Sequence, residues 1–205
     1  MGNRAQVSMV LLDRAVYSLQ WFVLAPAVAA LISAGSAPRW LAGVLPFAFI
    51  AGAAAFQLVG AEASSFLGAR NAFVLGFSIL SASDMLVALS RGAWQAVLLR
   101  LVAGAGVGLF FSPAGYYLVR IGAADTTALM GLYNAAFELG GAGALAWGLI
   151  DGILGWRFGT FIAGLLGLAL STASVALLPD NPRPPKPRVL VFSKGREVVE
   201  AGAAG

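Results

Sequence analysis

The chain contains no cysteine and no histidine among its 205 residues. Without Cys there is no disulfide, thiol nucleophile, thiolate zinc site or iron–sulfur cluster. Without His there is no imidazole general base, no His-ligated haem and no Ser–His hydrolysis. Charge is scarce as well: 11% of residues are Asp, Glu, Lys or Arg, against roughly 25% in an ordinary soluble domain. Sixty per cent are hydrophobic, and the mean hydropathy is +0.86. A soluble fold of this composition would expose large apolar patches, which monomers rarely do. The composition predicts an integral membrane protein. Nine acidic residues leave an intramembrane aspartyl enzyme open on composition alone, but no paired intramembrane Asp motif is present. No enzyme, cofactor, metal or nucleic-acid partner is expected.

A helix needs about 20 mainly apolar residues to cross a hydrocarbon core of roughly 30 Å. Six stretches meet that requirement: residues 15–38, 40–61, 71–90, 92–119, 126–150 and 158–179. Three carry a single charge each, Asp84, Arg100 and Glu138, and the others carry none. Loops of about 5 to 10 residues are expected between them, with turn chemistry at Ser36-Ala-Pro-Arg39 and Ser90-Arg91-Gly92. Gly122-Ala-Ala-Asp125-Thr126-Thr127 reads as a helix stop followed by a cap. Interior glycines with Pro26, Pro46 and Pro113 fit membrane helices. The alternating segments of about ten residues that a β-barrel needs are absent. The first apolar run is longer than a signal peptide, and no cleavage pattern follows it. Asp84 and Asp151 fall near outer span ends and are expected to be solvated. Trp21, Trp40, Trp94, Trp147 and Trp156 fall mostly near span ends, as an interfacial belt requires.

Lys and Arg favour the cytoplasmic side. With the N-terminus inside, Arg4, Arg14, Arg70, Arg120, Arg183, Lys186, Arg188, Lys194 and Arg196 are inner, and Arg39, Arg91 and Arg157 outer. Both termini are therefore expected in the cytoplasm of a multi-pass plasma-membrane protein. Residues 1–14 form its N-terminus, 15–179 its transmembrane domain in the lipid bilayer, and 180–205 a Pro-rich basic tail. Asp180-Asn-Pro-Arg-Pro-Pro-Lys-Pro-Arg188 is expected to be extended, either solvated or laid on anionic lipid.

The most specific string is Arg100-Leu-Val-Ala-Gly104-Ala-Gly106-Val-Gly108-Leu-Phe-Phe-Ser-Pro113. Gly104 and Gly108 share a helix face and admit a neighbouring backbone. Pro113 removes a donor and allows a bend. A central Arg costs about 2.5–3.5 kcal/mol on insertion scales. Arg100 must therefore find a partner in protein or water, or snorkel to the outer surface.

With Gly at +4, +6 and +8 from Arg100 and a later Pro, this string resembles the fourth-helix motif of the major facilitator superfamily. Phe56-Gln57, Gly68 and Arg70 are similar to that family's loop between helices two and three. There Ala61, Ser65 and Phe66 replace the usual Gly, Asp and Arg; Ser65 can cap a helix but carries no charge. Gly131-Leu-Tyr-Asn-Ala-Ala-Phe-Glu-Leu-Gly-Gly141 and Gly155-Trp156-Arg157 resemble the fifth helix and the loop after it. Asp13-Arg14 resembles a pair at the start of helix one. Together these cover about residues 10 to 180. Gly143-Ala144 stands where antiporters often carry Gly-Pro, which favours symport or uniport over drug/proton antiport.

The resemblance implies an all-α integral membrane unit of six transmembrane helices, arranged as two inverted three-helix repeats, half of a major facilitator fold. Such a half either homodimerises, pairs with a second six-helix subunit, or is a truncated product; a two-fold dimer would imitate the pseudo-symmetry of the whole. In that family helices one and four line the cavity. On helix one Asp13, Tyr17 and Gln20 share a face, on helix four Arg100 lies on the side of Gly104 with Tyr116 and Tyr117 beyond Pro113, and on helix five Thr127, Asn134 and Glu138 form a stripe. Glu138 would bind and release a proton, or be neutralised by Arg100 or held by packing hydrogen bonds. Asp13, Tyr17, Gln20, Arg100, Asn134 and Glu138 are thus candidates for the solute or proton pathway. Gln57, Ser65, Gly68, Arg70, Gly104, Gly106, Gly108 and Pro113 are candidates for gating or packing. The expected function is half-size secondary active transport of a small solute by alternating access. A proton or solute gradient would drive it, because no phosphate-binding loop is present. The alternative is a non-transporting six-helix subunit that assembles with or regulates another membrane protein.

Overall fold

The computed structural model describes residues 3–33, 35–122, 125–178 and 182–183. They form helices α1 (Asn3–Phe22), α2 (Leu24–Ser33), α3 (Leu41–Leu67), α4 (Ala69–Ala88), α5 (Ala93–Ile121), α6 (Thr126–Leu154) and α7 (Trp156–Leu177). No strand occurs among the described residues. Taken together α1 and α2 make one span, so six segments are long and apolar enough to cross a membrane. Apart from Pro182 and Arg183, the basic tail expected over residues 180–205 lies outside the described residues.

The first helix begins well before its apolar run, because Gln6, Met9, Val10, Asp13 and Arg14 on its early turns are buried in the bundle. It breaks at Val23 ahead of Pro26, which has no N–H to give the Phe22 carbonyl and whose ring crowds the preceding turn. Two connections are far tighter than the expected loops. Gly68 alone joins α3 to α4, and Gly155 alone joins α6 to α7. Their φ angles of 83° and 85° lie where side-chain-bearing residues are strained. At the start of α6 the expected cap is present: the Asp125 carboxylate accepts from the N–H groups of Thr127 at 2.9 Å and Ala128 at 3.3 Å. Ser65 does not cap. Since α3 continues to Leu67, its hydroxyl donates back to the Glu62 carbonyl at 2.8 Å.

Glycine spacing on α5 sets the packing. A Cβ on Gly108 would lie 2.6 Å from the Ala53 carbonyl oxygen, and one on Gly104 would run into the Phe49 carbonyl, so both meet α3. Gly106 meets α4 instead: a Cβ there would stand 2.6 Å from both the Gly76 oxygen and the Leu80 nitrogen. The same close approach joins α6 to α1, where Gly140 lies against the Ala15 carbonyl. Lipid tails are as apolar as side chains, so van der Waals contact of this kind holds such helices together. Pro113 is accommodated within α5 without ending it. Beside these contacts Tyr17, Phe73, Phe77, Phe110 and Tyr117 form a buried aromatic core, with the Tyr17 and Phe110 rings stacked at 4.2 Å. By contrast, α3 and α6 leave much of their surface uncovered, including Phe47, Leu58, Leu139 and Leu149.

Candidate functional site

Arg100 is 3% exposed, so it does not snorkel outward. Its partner is Asp84, fully buried on α4, whose Oδ1 accepts from Nη1 at 2.9 Å. This corrects the expectation that Asp84 is solvated. Asp84 stands one turn before the end of α4, yet points inward beside Ser81 and Ser83 rather than toward the turn. It also answers the open question of what Arg100 neutralises, since that carboxylate is Asp84 and not Glu138. Arg100 Nη2 donates to the Trp21 carbonyl at 3.2 Å, and Nη1 lies 3.5 Å from the Gln20 carbonyl. Both carbonyls belong to the last turn of α1, where a cation is favoured by the helix dipole and by unpaired oxygens. The Phe49 ring of α3 covers the guanidinium at 3.9 Å. One side chain thereby ties together α1, α3, α4 and α5 at the break in the first span.

Gln20 extends this polar layer. Its amide nitrogen donates to the Ala163 carbonyl of α7 at 2.7 Å, and its oxygen accepts from Ser81 at 3.1 Å. An apolar cavity of about 320 Å³ opens beside the break, lined by Trp21, Phe22, Val28, Pro46 and Phe49 with Arg100 at its edge. Trp21 is thus a mid-span residue at a cavity, whereas Trp40 and Trp94 fit the belt, exposed with their rings 5.2 Å apart.

Nearer the N-terminal end of α1, Asp13 and Tyr17 are fully buried. Asp13 Oδ2 accepts from Ser174 of α7 at 2.5 Å, while Oδ1 has no hydrogen-bond partner. The Tyr17 hydroxyl lies 3.5 Å from the Val107 carbonyl. Arg14, which sequence reasoning assigned to the N-terminal flank, is 3% exposed. Four aromatic rings surround its guanidinium: Tyr133 at 4.3 Å, Phe137 at 4.5 Å, Tyr17 at 4.9 Å and Phe111 at 5.1 Å. Its Nε and Nη1 have no hydrogen-bond partner. Cation–π contacts of this type contribute about 0.5–2 kcal/mol each, a partial offset for an unpaired buried charge. The adjacent Asp13-Arg14 pair in the sequence was the available signal.

Asn134 and Glu138 are exposed on α6, away from the buried groups. The inward stripe of that helix is Tyr133, Ala136, Gly140 and Ala144, so residues one place beyond the first and two beyond the second face outward. Phe111, which closes the Arg14 cage, is 40% exposed. Of the gating candidates, Gln57 is exposed on α3, and Arg70 donates to the Leu178 carbonyl, fixing the end of α7 against α4. Asp151 is half-buried against Gly159. Chemically, the interior of the described residues offers the compensated Arg100–Asp84 pair, the caged Arg14 cation and the buried Asp13 carboxyl. The described residues hold no cluster of metal-ligating side chains.

Residues 11–203 match the sequence profile of the Major Facilitator Superfamily. Over 188 residues, 88% of this chain and 31% of the relative, the sequence is 29% identical to the "Probable actinorhodin transporter" of Streptomyces coelicolor. Over 131 residues, 62% of this chain and 23% of the relative, it is 25% identical to the "Uncharacterized MFS-type transporter Rv1250" of Mycobacterium tuberculosis. The chain therefore spans less than a third of the length of these curated relatives. Six apolar spans, charged groups sequestered among them and a profile match along nearly the whole chain lead to one assignment: this protein belongs to the Major Facilitator Superfamily of membrane transporters.

Proposed function

We propose that the chain is one six-helix unit of a secondary active transporter, paired with a second copy of itself, moving a small organic solute by alternating access. The observation that carries this reading is the outward face of α6. Asn134 and Glu138 lie within a span, yet the six-helix unit leaves them uncovered. An acidic side chain facing lipid at mid-span costs about 2.5–3.5 kcal/mol on insertion scales, so this face belongs against a partner or a water-filled path. With α3 similarly uncovered, the solute path runs between the two units, bordered by Glu138, Asn134 and the Arg14 cage.

Helix pairing supports the two inverted triplets that such a unit requires. Exchanging the first three spans with the last three turns the α3–α5 contact into α1–α6, α4–α5 into α1–α7, and α3–α4 into α6–α7. All of these pairs are in contact, and α4–α7 maps onto itself. The two single-glycine turns, Gly68 and Gly155, exchange as well. Proton symport through Asp13 or Glu138 supplies the drive, and both termini are cytoplasmic in the plasma membrane.

The test is uptake by the reconstituted full chain, with actinorhodin as the first solute because a relative carries that name, followed by a panel of small organic acids. Uptake driven by an imposed pH gradient and lost in E138Q and R100A is the expected result. Uptake unchanged in both variants, each inserted normally, would overturn the proposal.

A further inference from the structure

The loops α2–α3, α4–α5 and α6–α7 lie at one end of the bundle, opposite the end where α1 begins and α7 finishes. This loop end carries Arg39, Arg91 and Arg157. A second cavity of about 290 Å³ opens there between α2, α3, α5, α7 and the end of α4. Its floor is apolar, with Leu24, Val28, Leu41 and Val87, and its rim holds the guanidinium-bearing residues Arg91 and Arg157; no acidic residue lines it. Arg157 is fixed in position, since Nη1 donates to the carbonyls of Ala88 and Ser90 at 2.7 Å each. That arrangement leaves its Nε and Nη2 groups for an anion. Close by, the exposed and paired rings of Trp40 and Trp94 mark the depth at which aromatic side chains meet lipid headgroups.

An apolar slot below two arginines, at headgroup depth, has the chemical shape of an anionic amphiphile. We propose that this cleft is a binding site for an anionic phospholipid of the surrounding bilayer, its phosphate held by Arg91 and Arg157 and one acyl chain laid along Val28 and Leu41. The charge selects the headgroup, and the apolar floor selects lipid over a free anion. Occupancy also packs the side of α2, which otherwise lies between this cleft and the cavity beside Arg100.

The test is native mass spectrometry of the full chain in detergent, titrated with dioleoylphosphatidylglycerol, with dioleoylphosphatidylcholine and inorganic phosphate as the other arms. One phosphatidylglycerol per chain should be retained in preference to phosphatidylcholine, with no measurable retention of phosphate. Affinity should fall about 5-fold in R91Q and about 30-fold in R91Q/R157Q, following the electrostatic contribution of each arginine near a lipid surface. Because Arg157 also anchors the end of α4, the R91Q variant gives the cleaner reading. V28W, which fills the slot and keeps both arginines, should also lose the lipid, while R91K/R157K should retain most of it. Equal binding of phosphatidylcholine, competition by inorganic phosphate at similar affinity, or unchanged binding in R91Q or V28W would overturn the proposal.

Discussion

Breaking the Arg100–Asp84 pair should expose how much this unit depends on one interior charge. The nitrogen and oxygen are 2.9 Å apart with both side chains withdrawn from solvent. Charge centres about 4 Å apart attract by about 4 kcal/mol at an effective dielectric constant near 20. Removing one partner leaves the other charge buried and uncompensated, which typically costs about 3–5 kcal/mol. R100Q should lie at the upper end of that range, because the Trp21 and Gln20 carbonyls and the Phe49 ring lose their cation too. D84N should lie at the lower end. In the double variant D84N/R100Q neither charge remains, so its loss should be smaller than the sum of the singles by about 2–4 kcal/mol. R100K should fall between, since an ammonium can meet the carboxylate but cannot fork to both carbonyls. The assay is reversible unfolding in mixed micelles of increasing SDS fraction, followed by far-ultraviolet circular dichroism. A coupling energy below about 0.6 kcal/mol, the average for membrane side-chain hydrogen bonds, would refute the reasoning.

Other expectations rest on separate contacts. G106V should destabilise the unit by about 1–3 kcal/mol or prevent assembly, because even a Cβ meets the α4 backbone at 2.6 Å. G115A should be neutral or slightly stabilising, since the added Cβ would meet only side-chain carbons of Met130 and Tyr133, at 4.0 Å; a loss as large as that of G106V would contradict this. D125A should cost about 1 kcal/mol by removing the α6 cap, read in the same SDS titration. R14M should unfold no more easily than the parent protein, because an unpaired buried cation is exchanged for an apolar chain of similar volume, yet it should lose uptake; easy unfolding would show that the cage is structural. Finally, E138C should react with a charged methanethiosulfonate while L86C, at an exposed apolar position of α4, should react far more slowly; an E138C as unreactive as L86C would place Glu138 in lipid.

The spans were legible because length and apolar content are local properties, and the α5 glycines because a spacing of four fixes a face. Gly106 was harder, since its partner, Gly76, lies on a different helix from those met by Gly104 and Gly108. Nearness to the Ser90-Arg91-Gly92 turn suggested a solvated Asp84, yet direction rather than depth decides its environment, and the deciding group is on another helix. Helical spacing puts Gln20 on one face with Asp13 and Tyr17, but its contact with Ala163 joins residues 143 apart, beyond any periodicity argument. Thr127, Asn134 and Glu138 do form a stripe, and the glycine at 140 turns the opposite side inward. The Arg14 cage draws rings from α1, α5 and α6, so only assembly reveals it.

Two units enclosing the path between them is the central claim, and counting chains tests it most directly. Native mass spectrometry of the full chain released from lipid nanodiscs should give a discrete dimer, which E138L should leave intact while abolishing uptake. A population made up only of monomers across a range of protein-to-lipid ratios would contradict it.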